Sequence, residues 1–350
     1  MSNQFAVPEP PADAISALRF SPQPDSFRFA VASWDKNVYI YELSDGKSCK
    51  QTAKFEHRAP VLDVCFGKDD NEIYTACLDW DVRRIDLKSG TQTVLSTHDN
   101  SVRSVVYSKE HSLVISAAWD STLHVHPGDG DASWSTATIN LPSKPFSLAV
   151  SASKLVVAMA NRALHIYELK ALADECKSSS ANSLQNRLDI EPWQRRESSL
   201  KFMTRAVDCM PNDEGYASSS IEGRVAVEWF DPSNESQARK YAFKCHRQPV
   251  DDVDVVYPVN AIAFHPVHGT FATGGGDGVV AIWDAIAKRR IRIYPKLASS
   301  VAALSFSSNG KYLATAISPG FEDGKDEIAE GSIGIYIREL GENEVKRKAK

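Results

Sequence analysis

The chain has 350 residues, 43% of them hydrophobic, and carries a net charge of −5 from 40 Lys and Arg against 45 Asp and Glu. That is ample for a packed core, and the acidic balance argues against a broad polyanion-binding surface while leaving room for a local basic patch. Six cysteines without a CxxC pair read as reduced core or loop thiols, the opening MSNQFAVPEPPADA lacks the charged-then-apolar pattern of a signal peptide, and no apolar run approaches the ~20 residues that span a bilayer.

In chain order, residues 4–7 form a short β-like piece ahead of Pro8, Pro10 and Pro11, placed to add an outer strand to the last sheet of a ring. ISALRF, FAVAS and VYIYEL follow between Ile15 and Phe55, with a Trp34-Asp35 turn between the second and third. A second set begins after His57 (VLDVCF, EIYTA, VRRIDL) and a third after His98 (SVRSVVY, LVISAA, TLHVHP). Short β-branched or aromatic runs broken by Asp, Asn, Gly and Lys turns are the signature of strands. The fourth set (146–169) is degenerate: Asn161 takes the place of the turn Asp, and no loop His precedes it.

Residues 170–193 are polar and Ser-rich and read as a long loop before the fourth outer strand, although Lys170–Cys176 suits a short helix. The fifth set is TRAVDCM, GYASSS, RVAVEWF and RKYAFKC, with Glu222 at the turn. The sixth follows KYAFKCHR (240–247) and a connecting loop, as YPVNAIAFHPVHGTFATGGGDGVVAIWD (257–284). The seventh is VAALSFS, KYLATAI and SIGIYIREL, with an acidic loop over 321–330. A domain over 1–340 then leaves a basic tail over 341–350 ending in KRKAK, better read as a solvating tail than as a nuclear signal.

One ruler fits several of these sets. Asp277 has Thr273 four residues before it, Trp283 six after it, and His246 in the preceding loop. This spacing puts Thr on a strand, Asp in the next turn and Trp on the returning strand, so that the four side chains can join in a buried hydrogen-bonded chain. Asp79 repeats the pattern with Thr75 and His57, and Asp120 with Ser116 and His98; both His residues lie twenty-two before their Asp. Asp35, Asp79 and Asp120 are 44 and 41 residues apart, close to the propeller period of roughly 40–45. The expectation is an all-β, seven-bladed propeller of WD repeats closed by the N-terminal strand.

The loop bearing His and the turn bearing Asp share one face of such a disc, its top. Trp34 and Trp119 precede turn aspartates there and Trp80 follows one; each can pack on a neighbouring blade, or the three can form an aromatic contact surface. Strand 224–230 turns near residue 234 and returns over 239–245, so Arg224 and Lys244 fall opposite each other at the top of blade five. Arg205 and Arg247 share that rim. Four cations suggest a site for carboxylates or a phosphate, with local pairing to Glu222 or Glu228 as the alternative. No catalytic constellation stands out. GGGDG (274–278) is a strand-to-turn glycine run rather than a phosphate loop, and His265 with His268 supplies too few ligands for a metal. No cofactor is expected.

RRESSLK (195–201), SSIEGRVAVEWFDP (219–232), KYAFKCHR (240–247) and YPVNAIAFHPVHGTFATGGGDG (257–278) resemble the spindle-checkpoint WD-repeat family named budding uninhibited by benzimidazole three, along nearly the whole chain. The messenger-RNA export factors of the nuclear pore share the SIEGRVA, FKCHR and AFHPVHGT elements and are the alternative; RRESSLK and the turns at Trp34 and Trp119 favour the checkpoint family. The resemblance implies a non-enzymatic adaptor in the nucleus, and at the kinetochore in mitosis. Its implied partners are Glu-containing (GLEBS) segments of the checkpoint kinase and its kinase-like paralogue, phosphorylated Met-Glu-Leu-Thr repeats of the kinetochore scaffold, and inhibitors of the anaphase-promoting complex. No membrane and no direct nucleic-acid contact is expected. By position, Arg205 and Arg247 meet partner glutamates, Arg224 and Lys244 hold the phosphothreonine, and Trp34 and Trp119 pack on the bound segments. The loop at 170–193 departs from the family pattern.

Overall fold

β-Branched and aromatic runs of four to nine residues, separated by Asp-, Asn- and Gly-rich turns, pair with their chain neighbours into antiparallel sheets. The computed structural model describes residues 3–44, 48–128, 134–179, 187–320, 324 and 328–347. Seven sheets succeed one another as blades around a central axis. Their inner strands are Ile15–Phe20, Val61–Phe66, Val102–Ser108, Pro145–Val150, Thr204–Cys209, Val259–Phe264 and Val301–Phe306. The inner strand of blade seven packs on that of blade one, so the ring closes. Gln4–Ala6 forms the outer strand of blade seven with Phe5 opposite Ile337, and the Val7 amide donates to Ile335 O at 2.8 Å. The fold is the expected all-β seven-bladed propeller.

Apolar faces of adjacent blades meet. Leu18, Phe29 and Tyr41 of blade one pack with Ala314, Ile335 and Ile337 of blade seven, and Val225, Val227 and Trp229 of blade five pack with Phe264 and Phe271 of blade six. Each such large side chain contributes roughly 1.5–3 kcal/mol on burial, and no blade can bury both faces without its neighbours.

Every inner strand also carries an irregularity at the same end. The register shifts skip Ser16, Leu62, Arg103, Phe146, the pair Arg205–Ala206, Asn260 and Ala302. A bulge leaves its residue unpaired and re-aims its side chain. All of these residues line the central cavity.

Three segments differ from the sequence expectation. The stretch 170–193 is not a plain loop. Leu169–Ser179 is a helix that buries Leu172, Ala173 and Cys176 against the core between blades three and four. Arg187–Leu188 then adds a parallel fifth strand to blade three, opposite Thr138 and Ile139, and Gln194–Glu197 completes blade four. Periodic Leu, Ala and Cys among polar residues carried that helix, but the Ser-rich composition masked it; 180–186 lie outside the described residues. The loop after His246 is a β-hairpin, Arg247–Val250 with Val253–Val256. The tail read over 341–350 starts with a packed turn. Glu342–Val345 is helical, Val345 is buried, and its carbonyl accepts from Thr270 Oγ1 at 2.8 Å. Most of the acidic loop 321–330 and the last residues 348–350 fall outside the described residues.

Candidate functional site

The hydrogen-bonded chain predicted in blade six is present. His246 Nδ1 lies 2.9 Å from Asp277 Oδ1, His246 Nε2 lies 2.8 Å from Thr273 Oγ1, and Trp283 Nε1 donates to Thr273 Oγ1 at 2.9 Å. A carboxylate only accepts, so Nδ1 carries the proton, Thr273 donates to Nε2, and its oxygen is free to accept from the indole. Blade three repeats this with His98 between Ser116 (2.9 Å) and Asp120 (3.3 Å). Burial opposes ionisation of Asp120, but hydrogen bonds from His98, Thr122 and the Asp99 amide prevail and hold it down to about 2.

Blade two breaks the pattern. His57 reaches Thr75 at 3.1 Å, but its other nitrogen faces Phe55 O, not Asp79. Arg83, four residues after Asp79, takes the carboxylate with two bonds of 2.6 and 3.1 Å, and Arg58 adds a third at 3.3 Å. Burial, with the Arg83 charge beside it, pushes His57 down to about 4.

These turns set the top rim. In blade five Arg224 and Lys244 are direct cross-strand partners, as hairpin symmetry predicts, although the reversal contains a short helix, Asn234–Ala238, capped by Ser233. Side chains opposite each other on neighbouring strands share a face. The turn Glu222-Gly223-Arg224 needs its glycine: Gly223 has φ +66°, and an added Cβ would stand 2.6 Å from Cys245 O. Arg224 is half-buried, with Nε 3.6 Å from Glu222 Oε2 and no hydrogen bond to that nitrogen. Lys244 is exposed and has no ion pair among the described residues. Arg247 donates to Glu222 O at 3.1 Å and lies 3.6 Å from Asp254, and its buried Nε also lacks a hydrogen bond. Glu228, the other local acid, sits 3.6 Å from Arg196 instead. Arg224 and Arg247 thus gather around Glu222, with Lys244 opposite Arg224 on the next strand. Arg205 stands apart, at the channel mouth, with Nε donating to Asn260 Oδ1 at 2.9 Å.

Trp34 is 44% exposed, and it lines the mouth of the central cavity together with the half-buried Trp119. Trp80 is also exposed but does not line that cavity. Beside the cations, Phe202, Met203 and Ile221 form an exposed apolar shelf, joined where the Ile221 amide donates to Met203 O at 3.2 Å.

The WD domain, G-beta repeat family matches residues 90–126 and 239–284. The mitotic checkpoint protein BUB3.1 of Arabidopsis thaliana is 44% identical over 344 residues, covering 97% of this chain and 94% of that protein. The chain belongs to the Bub3 family of mitotic checkpoint WD-repeat proteins. The spindle assembly checkpoint protein bub3 of Schizosaccharomyces pombe is 32% identical, with 97% of this chain and 96% of that protein covered. The mRNA export factor GLE2 of Chaetomium thermophilum is also 32% identical, over 93% of this chain and 86% of that protein.

Sequence reasoning missed two groups in this Bub3-family chain. The apolar shelf escaped because Phe202 and Met203 lie between strands. Of the channel cations Arg19 and Arg103, Arg103 escaped because strand alternation alone does not reveal a bulge. A recurring break in the inside–outside pattern at the start of each inner strand is the signal that could have exposed Arg103. Among the described residues, no group of three or more His, Cys, Asp or Glu could hold a metal ion, and all six cysteines are free and buried.

Proposed function

We propose that the chain is a non-enzymatic spindle-checkpoint adaptor, nuclear and kinetochore-bound in mitosis, whose top rim reads acidic and phosphorylated peptide segments. The observation that carries this reading is the opposed pair Arg224 and Lys244: one cation unpaired, the other with a buried donor lacking a hydrogen bond, both on an acidic protein. Two cations held side by side repel, and a phosphate between them turns the repulsion into charge-assisted hydrogen bonds. Phosphorylated Met-Glu-Leu-Thr repeats fit that demand, with the phosphothreonine at Arg224 and Lys244. GLEBS-type segments of the checkpoint kinases place glutamates at Arg205 and Arg247. Trp34, Trp119 and the shelf of Phe202, Met203 and Ile221 offer apolar seating beside these charges. The checkpoint names of the relatives at 32–44% identity support the same reading.

The test is a titration of a phosphothreonine peptide and its unphosphorylated twin. Arg224→Ala removes charge-assisted bonds of about 1.5–3 kcal/mol each, so the phosphopeptide should bind roughly ten- to hundredfold more weakly while the twin changes little. Equal losses reject the phosphate role.

The export-factor relative favours a second reading, in which the rim holds a nucleoporin segment and the protein also contacts RNA. Steeply salt-dependent RNA binding supports it, and none at low salt removes it.

A further inference from the structure

The seven inner strands enclose a cavity of about 540 Å³ on the propeller axis, within the size range of small-molecule sites. Three guanidinium groups line it: Arg103 and Arg205 from bulges, and Arg19 from blade one. Arg103 has no hydrogen bond or ion pair among the described residues; burial first, and then the charges of Arg205 and Arg19, oppose its cationic form, with Asp63 as its attractive neighbour. Arg19 reaches Asp63 only at 3.9 Å. Arg205 is bonded to a neutral amide, that of Asn260.

The acids that face these cations are occupied elsewhere. Asp63 accepts from Ser104 Oγ at 2.7 Å and from the Val105 and Val64 amides at 3.1 and 3.0 Å. Asp208 accepts from the Phe264 and Cys209 amides at 2.7 and 3.0 Å. Both carboxylates therefore serve the backbone that joins one inner strand to the next. The cavity wall itself carries three guanidiniums, those of Arg19, Arg103 and Arg205, against two carboxylates, Asp13 and Asp63, and the Arg103 guanidinium is unpaired among the described residues.

We propose that the propeller channel is a binding site for a small phosphate-bearing anion, held by Arg19, Arg103 and Arg205. Planar forks match the paired oxygens of a phosphate, which several guanidiniums can share at once. Ser147 on the lining has a hydroxyl that accepts from the Val207 amide and keeps its own proton to donate, and Trp34 and Trp119 flank the mouth. Of the rim cations the site shares only Arg205, with Trp34 and Trp119 bordering both, and it does not include Arg224 or Lys244, so it stands or falls separately from the phosphothreonine reading.

Calorimetric titration with inorganic pyrophosphate and with inositol hexakisphosphate tests this. One-to-one saturable binding of at least one probe is expected, weakened at least about tenfold by Arg103→Met and by Arg19→Met and changed less than about twofold by Lys50→Met on the exposed outer strand of blade one. Without anion, Arg103→Met should melt no lower than the parent, because it relieves repulsion; this also reports that the variant folds. Should it fail to fold, Arg103→Lys keeps the charge and loses the fork, and should still weaken binding. The proposal is overturned if neither probe saturates, if Arg103 variants bind as the parent does, if Arg224→Met abolishes binding, or if only an acidic peptide competes for the channel.

Discussion

Thr273 serves two neighbours at once, donating to His246 Nε2 and accepting from the Trp283 indole. Thr273→Val keeps the shape and strands both partners. The loss should be about 1–3 kcal/mol per unsatisfied group, read as a lower melting temperature, and Trp283→Phe should cost less because Thr273 then keeps His246. Histidine burial sets the response to acid. Burial pushes His124 and His126 down to about 3, and His57 and His265 down to about 4. In the unfolded chain they titrate near 6.5. Between pH 7 and 5 the unfolded chain gains protons that the folded one refuses, so stability falls as pH falls, by up to about 2 kcal/mol per fully buried histidine. Asp208 works the other way: burial raises it to about 6 despite its two amide donors, so its penalty is present above that pH and eases as pH falls toward 4. Melting curves at pH 7 and 5 should therefore show a decline that His124→Gln makes shallower and Asp208→Asn makes steeper; an unchanged slope in both contradicts the assignment.

Two added elements show where local sequence suffices and where it does not. The strand Gln4–Ala6 was legible because a β-like piece ahead of prolines has one useful place in a ring. Removing residues 1–7 should leave the edge of Gly334–Glu339 bare, lower the melting temperature and promote self-association, visible by size-exclusion chromatography. The helix Leu169–Ser179 was only half legible, because four buried residues, Leu169, Leu172, Ala173 and Cys176, among mostly polar neighbours make a weak stripe until a docking groove is known. Leu172→Ala should cost about 2–5 kcal/mol by denaturant titration; a neutral result would mean that the helix does not dock. The blade-two histidine was misassigned to Asp79 for a related reason. Spacing places His57 near the turn, but Arg83 competes for the carboxylate, and that competition depends on the third dimension.

At the scale of the molecule, a fixed repeat separates scaffold from site. Thr75, Ser116 and Thr273 with their histidines recur and hold blades together, whereas Arg224, Lys244, Arg205 and Arg247 occur in one blade and the loop beyond it. That contrast was readable in the sequence for the rim, because a hairpin fixes which residues face each other. It was not readable for the channel, because bulges decide which residues turn inward. The most direct test of the rim account is a double-mutant cycle on Arg224 and Lys244, with affinities for the phosphorylated and unphosphorylated peptide measured side by side. The account predicts that each single Ala variant weakens the phosphopeptide roughly ten- to hundredfold, that the double variant loses less than the product of the two, and that the unphosphorylated peptide stays within about twofold throughout. Additive losses that are equal for both peptides would contradict it.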